Sequence, residues 1–208
     1  TFGTGGIYTV PAAYQTQSFG MALQADGKIV LAGYIYQASQ SDFQLVRLNA
    51  TGTLDEGFGT GGVVTTALSG GQDIIHAVVI QTDGKILVAG SSAGDGIDFA
   101  LARYNANGTL DTSFGGGDGI TTTSFGGAAS DIAYALAIQS DGKIVLAGGG
   151  GNSTTTMARY DSDGTLDGSF GTAGTVATDI GTGVDVFYGL VLQTDGKIIS
   201  VGYSGNDL

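Results

Sequence analysis

Cysteine is absent from this sequence, which excludes disulfide bonds, thiolate metal sites and a cysteine nucleophile. No apolar run reaches the roughly 18–20 residues that a membrane helix needs, so we expect no membrane insertion. Histidine occurs once, as His76, and nothing in the sequence supports a Ser/His/Asp arrangement around it. These absences remove several common kinds of catalytic and metal chemistry.

Positive charge is also scarce, with seven Lys and Arg against 19 Asp and Glu and a net charge of −12. Every one of the seven cations belongs to a repeated motif, so none is left to form a basic patch. We therefore expect neither nucleic-acid binding nor attraction to anionic membranes, since both need Lys and Arg near phosphates. Glutamate is nearly absent as well, and because Asp favours turns whereas Glu favours helices, the composition points away from helix.

What the chain has in abundance is repetition, with a period of 56 residues. The markers at this spacing are Phe2, Phe58, Phe114 and Phe170, then Arg47, Arg103 and Arg159, then Leu54-Asp55, Leu110-Asp111 and Leu166-Asp167. The tripeptide Asp-Gly-Lys recurs at 26–28, 83–85, 141–143 and 195–197. Such self-similarity indicates one supersecondary unit used repeatedly. We therefore treat 1–208 as a single repeat domain, with repeats at about 2–57, 58–113, 114–169 and 170–208, the last of them partial.

Each repeat predicts a four-stranded antiparallel blade. Two short apolar runs joined by Asp-Gly predict a hairpin with a type I′ turn, in which both central residues have positive φ. Third strands are predicted at 43–48, 99–104 and 155–160, and Thr/Val-rich fourth strands at 63–67, 120–123 and 175–178. The sequence thus predicts an all-β fold of β-propeller type, with three complete blades and one split blade.

The motifs of the repeat resemble those of the delta-60 repeat family of bacterial proteins. They read Ala-Ile-Gln-Ser-Asp-Gly-Lys-Ile-Val-Leu-Ala-Gly, then Phe-Ala-Leu-Ala-Arg-Tyr-Asn, then Gly-Thr-Leu-Asp-x-Ser-Phe-Gly, and the resemblance covers essentially the whole chain. It implies a β-propeller-like domain, commonly in secreted or surface proteins, without family-wide catalytic residues. The blade pattern is also similar to WD40 repeats, although the Trp-Asp signature of WD40 is absent, so that likeness is architectural.

The split blade leaves three interpretations open. Residues 7–10 match a fourth strand, the last repeat holds first and second strands, and the counterpart of residues 44–56 is missing. The chain is then a fragment of a longer propeller, a four-bladed ring with a defective seam, or a subunit whose copies associate through unpaired edges. Unpaired edges invite strand addition between chains, so we favour assembly or fragment over the closed ring.

Two groups of residues are candidate sites. The connections after the second strand and before the first vary between repeats, and they are predicted to share one rim, where specificity usually resides. Tyr34, Tyr36 and Tyr203 are predicted partner-binding residues there, although ordinary exposed tyrosines explain them equally well. Asp161, Asp163 and Asp167 surround a glycine turn and could hold Ca²⁺, but they lack further EF-hand ligands, and Asp also forms such turns without metal.

Other ionisable residues have structural explanations. His76 stands where other repeats have Phe19, Tyr134 and Tyr188, so it is predicted to be a packed ring. The recurrent aspartates Asp73, Asp131 and Asp185 are predicted either to cap a turn or to pair with a repeat arginine.

Taken together, the residues and the resemblance predict a non-catalytic extracellular or cell-surface scaffold that needs no cofactor and interacts with copies of itself. The main alternative is a propeller domain that binds a carbohydrate or protein ligand through the variable rim, and a polysaccharide-active enzyme comes third.

Overall fold

The computed structural model describes residues 2–9, 15–37, 39–126, 130–150 and 154–205, and within them the regular structure consists of β-strands. The strands are β1 (Gln15–Leu23), β2 (Ile29–Gln37), β3 (Gln40–Leu48), β4 (Val63–Thr66), β5 (Asp73–Ile80), β6 (Ile86–Ala93), β7 (Ile97–Tyr104), β8 (Ile120–Thr123), β9 (Ile132–Ile138), β10 (Ile144–Gly150), β11 (Thr154–Tyr160), β12 (Thr175–Thr178), β13 (Asp185–Leu192) and β14 (Ile198–Ser204). These residues include no helix with the length and apolar character of a membrane-spanning segment.

The strands form antiparallel blades in chain order, as the sequence predicts. The first blade is β1–β4, the second β5–β8 and the third β9–β12, and β13 with β14 forms a half-blade. One backbone bridge, between Gly149 and Val186, joins the half-blade to the third blade. The fourth strand predicted at 7–10 is not seen in residues 7–9, where Ile7 makes only an isolated bridge to Thr4, and Val10 lies outside the described residues.

The Asp-Gly hairpins have a different turn from the predicted type I′. The Gly27 amide donates to the Gln24 carbonyl at 2.9 Å, and Gly27 has φ of 81°, whereas Asp26 does not have positive φ. The loop is therefore a type I turn followed by a left-handed glycine. Asp26 also accepts a hydrogen bond from the Lys28 amide at 3.1 Å, and the other three copies repeat this bond. This local bond holds Asp in an ordinary conformation, and glycine alone supplies the positive φ.

Each first strand carries a β-bulge at its aromatic position. In β1 the register shifts between Ser18 and Gly20, which leaves Phe19 without a cross-strand partner. The equivalent bulge residues are His76, Tyr134 and Tyr188. The bulge brings the backbone so close to the second strand that a Cβ on Gly33 would lie 1.9 Å from the Gln17 carbonyl oxygen. The glycine of the repeated second strand is therefore required by close approach, and Gly90, Gly148 and Gly202 meet the same constraint.

The first strands of consecutive blades lie side by side, β1 against β5, β5 against β9 and β9 against β13. Their bulge residues form a column of rings, with centroids 5.1 Å apart from Phe19 to His76, 4.9 Å from His76 to Tyr134 and 5.1 Å from Tyr134 to Tyr188. The prediction that His76 is a packed ring is confirmed. Burial lowers the pKa of His76 to about 4, so its imidazole is neutral at physiological pH.

The hydrophobic core lies between blades. One buried cluster joins Val30, Ala32 and Phe43 of the first blade to Ile86 and Val88 of the second. A second cluster joins the second blade to the third in the same way. The three blades and the half-blade follow one another in a row. The stability of the fold therefore comes from contacts between neighbouring blades, as in other repeat proteins.

Candidate functional site: the latches between blades and the open ends

A repeated set of ionisable residues, which we call the latch, lies at the rim that carries the Asp-Gly-Lys turns. In the second blade, Asp111 accepts a hydrogen bond from Arg103 Nε at 2.7 Å and pairs with Lys85 Nζ at 2.9 Å. The first-blade latch is Lys28, Arg47 and Asp55, and the third-blade latch is Lys143, Arg159 and Asp167. The lysine of the hairpin turn and the arginine of the third strand thus bind the same carboxylate. The Asp-Gly-Lys turn and the Leu-Asp connection therefore lie at one rim.

The latch arginines also reach into the next blade. Arg47 Nη1 donates to the Ala106 carbonyl at 2.5 Å, and Arg103 Nη1 donates to the Ser162 carbonyl at 2.6 Å. Both guanidinium groups are largely buried, so these charge-assisted bonds are shielded from water. Each bond fixes the position of one blade relative to the next.

The phenylalanine marker completes each latch. The Arg47 guanidinium stacks on the Phe58 ring at 4.4 Å, and the Gly59 amide donates to the Asn107 carbonyl of the second blade at 2.9 Å. Phe58 is fully buried against the loop at Gly108, where a Cβ would lie 3.0 Å from the ring. The Phe-Gly marker recurs because its ring and amide both contact the neighbouring blade.

The N-terminal segment makes the same contact with the first blade. The Gly3 amide donates to the Thr51 carbonyl at 2.8 Å, and a Cβ on Gly52 would lie 3.0 Å from the Phe2 ring. Phe2 and Gly3 therefore contact the first blade as the later Phe-Gly markers contact the blades that follow them.

The latch carboxylates are held in the ionised form. A hydrogen bond from Lys28 is the main cause that lowers the pKa of Asp55. For Asp111, burial opposes ionisation, but hydrogen bonds from Lys85 and Ser113 outweigh it and leave the pKa well below its usual range. The pKa of Asp167 is lowered chiefly by the side chain and amide of Ser169. At neutral pH every latch is therefore a cation–carboxylate network.

The three aspartates that we predicted as a Ca²⁺ site have other partners. Asp161 accepts a hydrogen bond from Lys143 Nζ at 2.5 Å, and Asp167 binds Lys143 and Arg159. Asp163 accepts hydrogen bonds from the amide and hydroxyl of Thr165 at 3.0 and 2.7 Å. Among the described residues no group of three His, Cys, Asp or Glu side chains is arranged to hold a metal ion. The geometry gives the Ca²⁺ prediction no support.

Asp73, Asp131 and Asp185 cap loops at the opposite rim, which was one of the two predicted roles. Asp73 accepts hydrogen bonds from the amides of Leu68 and Ser69 at 2.7 and 2.9 Å. Asp131 accepts from the Phe125 amide, and Asp185 from the Ile180 amide. The alternative, pairing with a repeat arginine, is wrong, because the arginines bind the Leu-Asp carboxylates instead.

The predicted partner-binding tyrosines lie in strands, not in loops. Tyr34 and Tyr36 project from β2, and together with Gln15 and Ser41 they line a shallow groove of about 230 Å³. Tyr203 lies in β14 and is exposed. The Phe19 and Tyr34 rings are 6.0 Å apart, so Tyr34 also extends the aromatic column. The structure does not bring Tyr203 to the Tyr34–Tyr36 groove.

Sequence reasoning did not identify the apolar surfaces at the two ends of the row. At one end, Met21 and Leu23 of β1 are exposed. At the other, Val191, Ile199 and Val201 of the half-blade are exposed. A comparison of equivalent positions in the repeats could have identified these surfaces, because the equivalent apolar residues inside the row are covered by a neighbouring blade.

The class of fold is that of a β-propeller, built from four-stranded antiparallel blades around adjacent first strands. Three stretches of the chain, residues 24–58, 81–114 and 139–170, match the model of a family described as a β-propeller domain of unknown function (DUF5122). Each stretch runs from a hairpin turn through the third strand to the phenylalanine marker, so the matched unit contains one complete latch. No curated protein matches the chain. The match supports a β-propeller repeat family. It does not confirm the resemblance to the delta-60 repeat family.

Proposed function

We propose that this domain is a non-catalytic structural scaffold of the bacterial cell surface or exterior, which associates with copies of itself through the ends of its row of blades. The observation that carries the proposal is the pair of exposed apolar surfaces at those ends. Exposed apolar patches of this kind commonly mark interaction surfaces.

The use of ionisable groups supports a structural role. Three of the four lysines and all three arginines lie in latches. The recurrent aspartates are hydrogen-bonded in turns and caps. Because these groups already hold the fold together, few remain for acid–base chemistry or for a charged ligand.

Equivalence between blades supports a head-to-tail contact. Ile199 and Val201 are equivalent to Val30 and Ala32, which are fully buried in the interface between the first and second blades. Met21 and Leu23 are equivalent to Val78 and Ile80, which pack against that same cluster from the second blade. The tail of one copy and the head of another therefore repeat the two sides of an internal interface. Such a heterologous contact gives a ring where its rotation closes and a filament where it does not.

The test is the mass and shape of the purified chain as its concentration rises, by light scattering after gel filtration and by electron microscopy. We expect oligomers or filaments, and we expect Val201→Asp to leave monomers, since it places a charge in the apolar contact. Thr112→Asp, an exposed residue away from both ends, is the matched control and leaves assembly intact. A wild-type chain that stays monomeric at every concentration contradicts the proposal.

A second candidate function is ligand binding at the groove of Tyr34 and Tyr36. Two tyrosines beside amide and hydroxyl side chains suit the stacking and hydrogen bonding of a sugar or a peptide. Binding to a glycan or peptide array that is lost in Tyr34→Ala/Tyr36→Ala, while the circular dichroism spectrum is unchanged, supports this candidate. The proposed surface location rests on composition and on the resemblance to surface repeat proteins. Protease shaving of intact producing cells tests it.

A further inference from the structure

The groove of Tyr34 and Tyr36 lies between the first and second blades, at one rim of their shared interface. Because side chains two positions apart on a strand share a face, both rings project on the same side of β2 as Val30, which belongs to the buried cluster between these blades. The second blade contributes Gln72 and Ile74 to the groove. The groove is therefore built by two adjacent complete blades.

The two tyrosines depart from the repeat. Counted from the glycine that faces each bulge, the counterparts of Tyr34 and Tyr36 in the second blade are Ser91 and Ala93. Both counterparts are small, and the second and third blades nevertheless pack together through a buried cluster. The contact between blades therefore does not require the tyrosines. Tyr36 is also 40% exposed, so much of its side chain meets solvent.

Unused hydrogen-bonding groups border the rings. Gln15 and Gln72 line the groove and are exposed, and within the described part of the chain neither side-chain amide is hydrogen-bonded. An amide both donates and accepts, as the hydroxyl groups of a sugar do. The backbone here is already paired, Tyr36 with Ser41 and Ser41 with Gln72. The groove therefore offers side chains to a ligand, and strand addition is not its mode of recognition.

The groove is uncharged. Its lining residues are tyrosine, glutamine, serine and isoleucine, and the loops at 37–40 and 67–72 contain no ionisable group. All seven Lys and Arg lie at the opposite rim, in the Asp-Gly-Lys turns and at the latch arginines. Asp73 follows Gln72, but it is fully buried and binds the amides of Leu68 and Ser69. A charged ligand would lose hydration here without gaining a partner, so the groove suits a neutral one.

Aromatic rings, free amides and neutrality together specify a carbohydrate. A sugar ring has a face of C–H bonds that packs on an aromatic ring and an edge of hydroxyl groups that needs donors and acceptors. We propose that the groove binds a neutral polysaccharide, with sugar units against Tyr34 and Tyr36 and hydroxyl groups bonded to Gln15 and Gln72. This deepens the second candidate function, ligand binding at the groove, and rests on it.

The size of the groove and the neighbouring rings suit a chain more than a small molecule. The groove volume of about 230 Å³ lies below the roughly 300–1,000 Å³ of ligand pockets, so it holds a short stretch of the chain. The Phe19 ring lies 6.0 Å from Tyr34 and 5.1 Å from His76. His76 and Tyr134 stay partly exposed although each has a ring on both sides. A longer chain therefore has more rings to contact, and its affinity should be higher.

The test is calorimetric titration with cellohexaose, laminarihexaose and mannohexaose as neutral probes, hexagalacturonate as an anionic probe and a proline-rich peptide. We expect a neutral probe to bind more tightly than its own disaccharide, and hexagalacturonate not to bind. Tyr36→Ala should weaken binding about tenfold or more and Gln72→Ala about threefold, whereas Tyr36→Phe, which keeps the ring, should change it less than about threefold. Tyr203→Ala removes an exposed tyrosine outside the groove and is the matched control, with affinity unchanged.

Two further measurements separate the alternatives. Thermal unfolding checks that each variant is folded, and NMR shift changes on adding the sugar should concentrate at residues 34–41 and 72–74. Failure of every neutral probe to bind, or binding that Tyr36→Ala leaves unchanged, overturns the proposal. Binding of the peptide alone, lost in Tyr36→Ala, also overturns it but leaves the groove as a ligand site, which distinguishes this inference from the second candidate function. Val201→Asp, which removes the proposed self-association, should bind the sugar as the wild-type chain does, and loss of binding there would place the site between copies and contradict the proposal.

Discussion

Arg103 Nη1 donates a 2.6 Å hydrogen bond to the carbonyl of Ser162, 59 positions along the chain and in the next blade. The same guanidinium binds Asp111 through Nε and stacks on Phe114 at 4.4 Å. One side chain therefore couples the hairpin rim of its own blade to the backbone of its neighbour. This coupling explains why arginine, with several donors in a fixed planar array, occupies the position in the three complete repeats.

Replacing this arginine by lysine should weaken the contact between blades. Arg103→Lys keeps the charge but cannot reach Asp111 and Ser162 together, and we expect the free energy of unfolding to fall by about 2–3 kcal/mol. The matched control is Arg159→Lys, which has no such carbonyl partner among the described residues, so its loss should be smaller. Urea unfolding measures both. Equal losses would show that the bond between blades contributes nothing of its own.

The glycine opposite each bulge should not tolerate a side chain. A Cβ on Gly90 would lie 1.9 Å from the Ile74 carbonyl oxygen, so Gly90→Ala forces the bulge to shift and is expected to destabilise the fold by about 1–3 kcal/mol. Gly94 has open space around its Cβ position and lacks a positive φ, which makes Gly94→Ala the matched control, near neutral in the same thermal unfolding experiment. The interpretation of the bulge is wrong if both substitutions have the same effect.

Stability should depend on pH through His76. The pKa of this imidazole is about 4 in the folded chain and 6.5 as its ordinary value, so between these pH values the unfolded chain binds a proton that the folded chain does not. The stabilising contribution of the neutral ring is complete above about pH 6.5 and is lost as the pH falls towards 4.

The substitution that isolates this effect is His76→Tyr, since Tyr134 and Tyr188 occupy the equivalent bulges. We expect the variant to show a flatter dependence of unfolding free energy on pH between 4 and 6.5 than the wild-type chain. Denaturant titrations at several pH values measure this difference. An unchanged slope would mean that other groups control stability in that range.

Calcium should leave the chain unchanged. Because Asp161 and Asp167 bind Lys143 and Asp163 binds Thr165, a cation would have to displace existing partners. We expect neither millimolar Ca²⁺ nor EDTA to move Tm. Asp163→Asn, which keeps an oxygen acceptor for Thr165, should behave like the wild-type chain in both conditions. A rise of Tm with Ca²⁺ that Asp163→Asn abolishes would support the predicted calcium site.

Local chemistry explains which predictions succeeded. Strand positions and the two rims follow from apolar alternation, turn residues and strand direction, all of which are local properties, and the observed β8 and β12 agree with the prediction residue for residue. The turn type was wrong because the bond from the Lys28 amide to Asp26 competes with the backbone preference of an Asp-Gly pair. The sequence does not show which aspartate each arginine binds, because Asp55 and Asp73 both recur in the repeats. Only the paths of the strands bring Asp55 within reach of Arg47 and place Asp73 at another loop.

By itself, the sequence determined the repeat, its strand order and the structural use of its cations, because a period of 56 residues requires equivalent residues to meet equivalent surroundings. The tertiary structure alone decided what those surroundings are. It made the Phe-Gly marker a contact between blades, and it brought the bulge residues of neighbouring first strands together in one column of rings. The reason is physical: these contacts join residues about one whole repeat apart, and only the packing of neighbouring blades sets their distances.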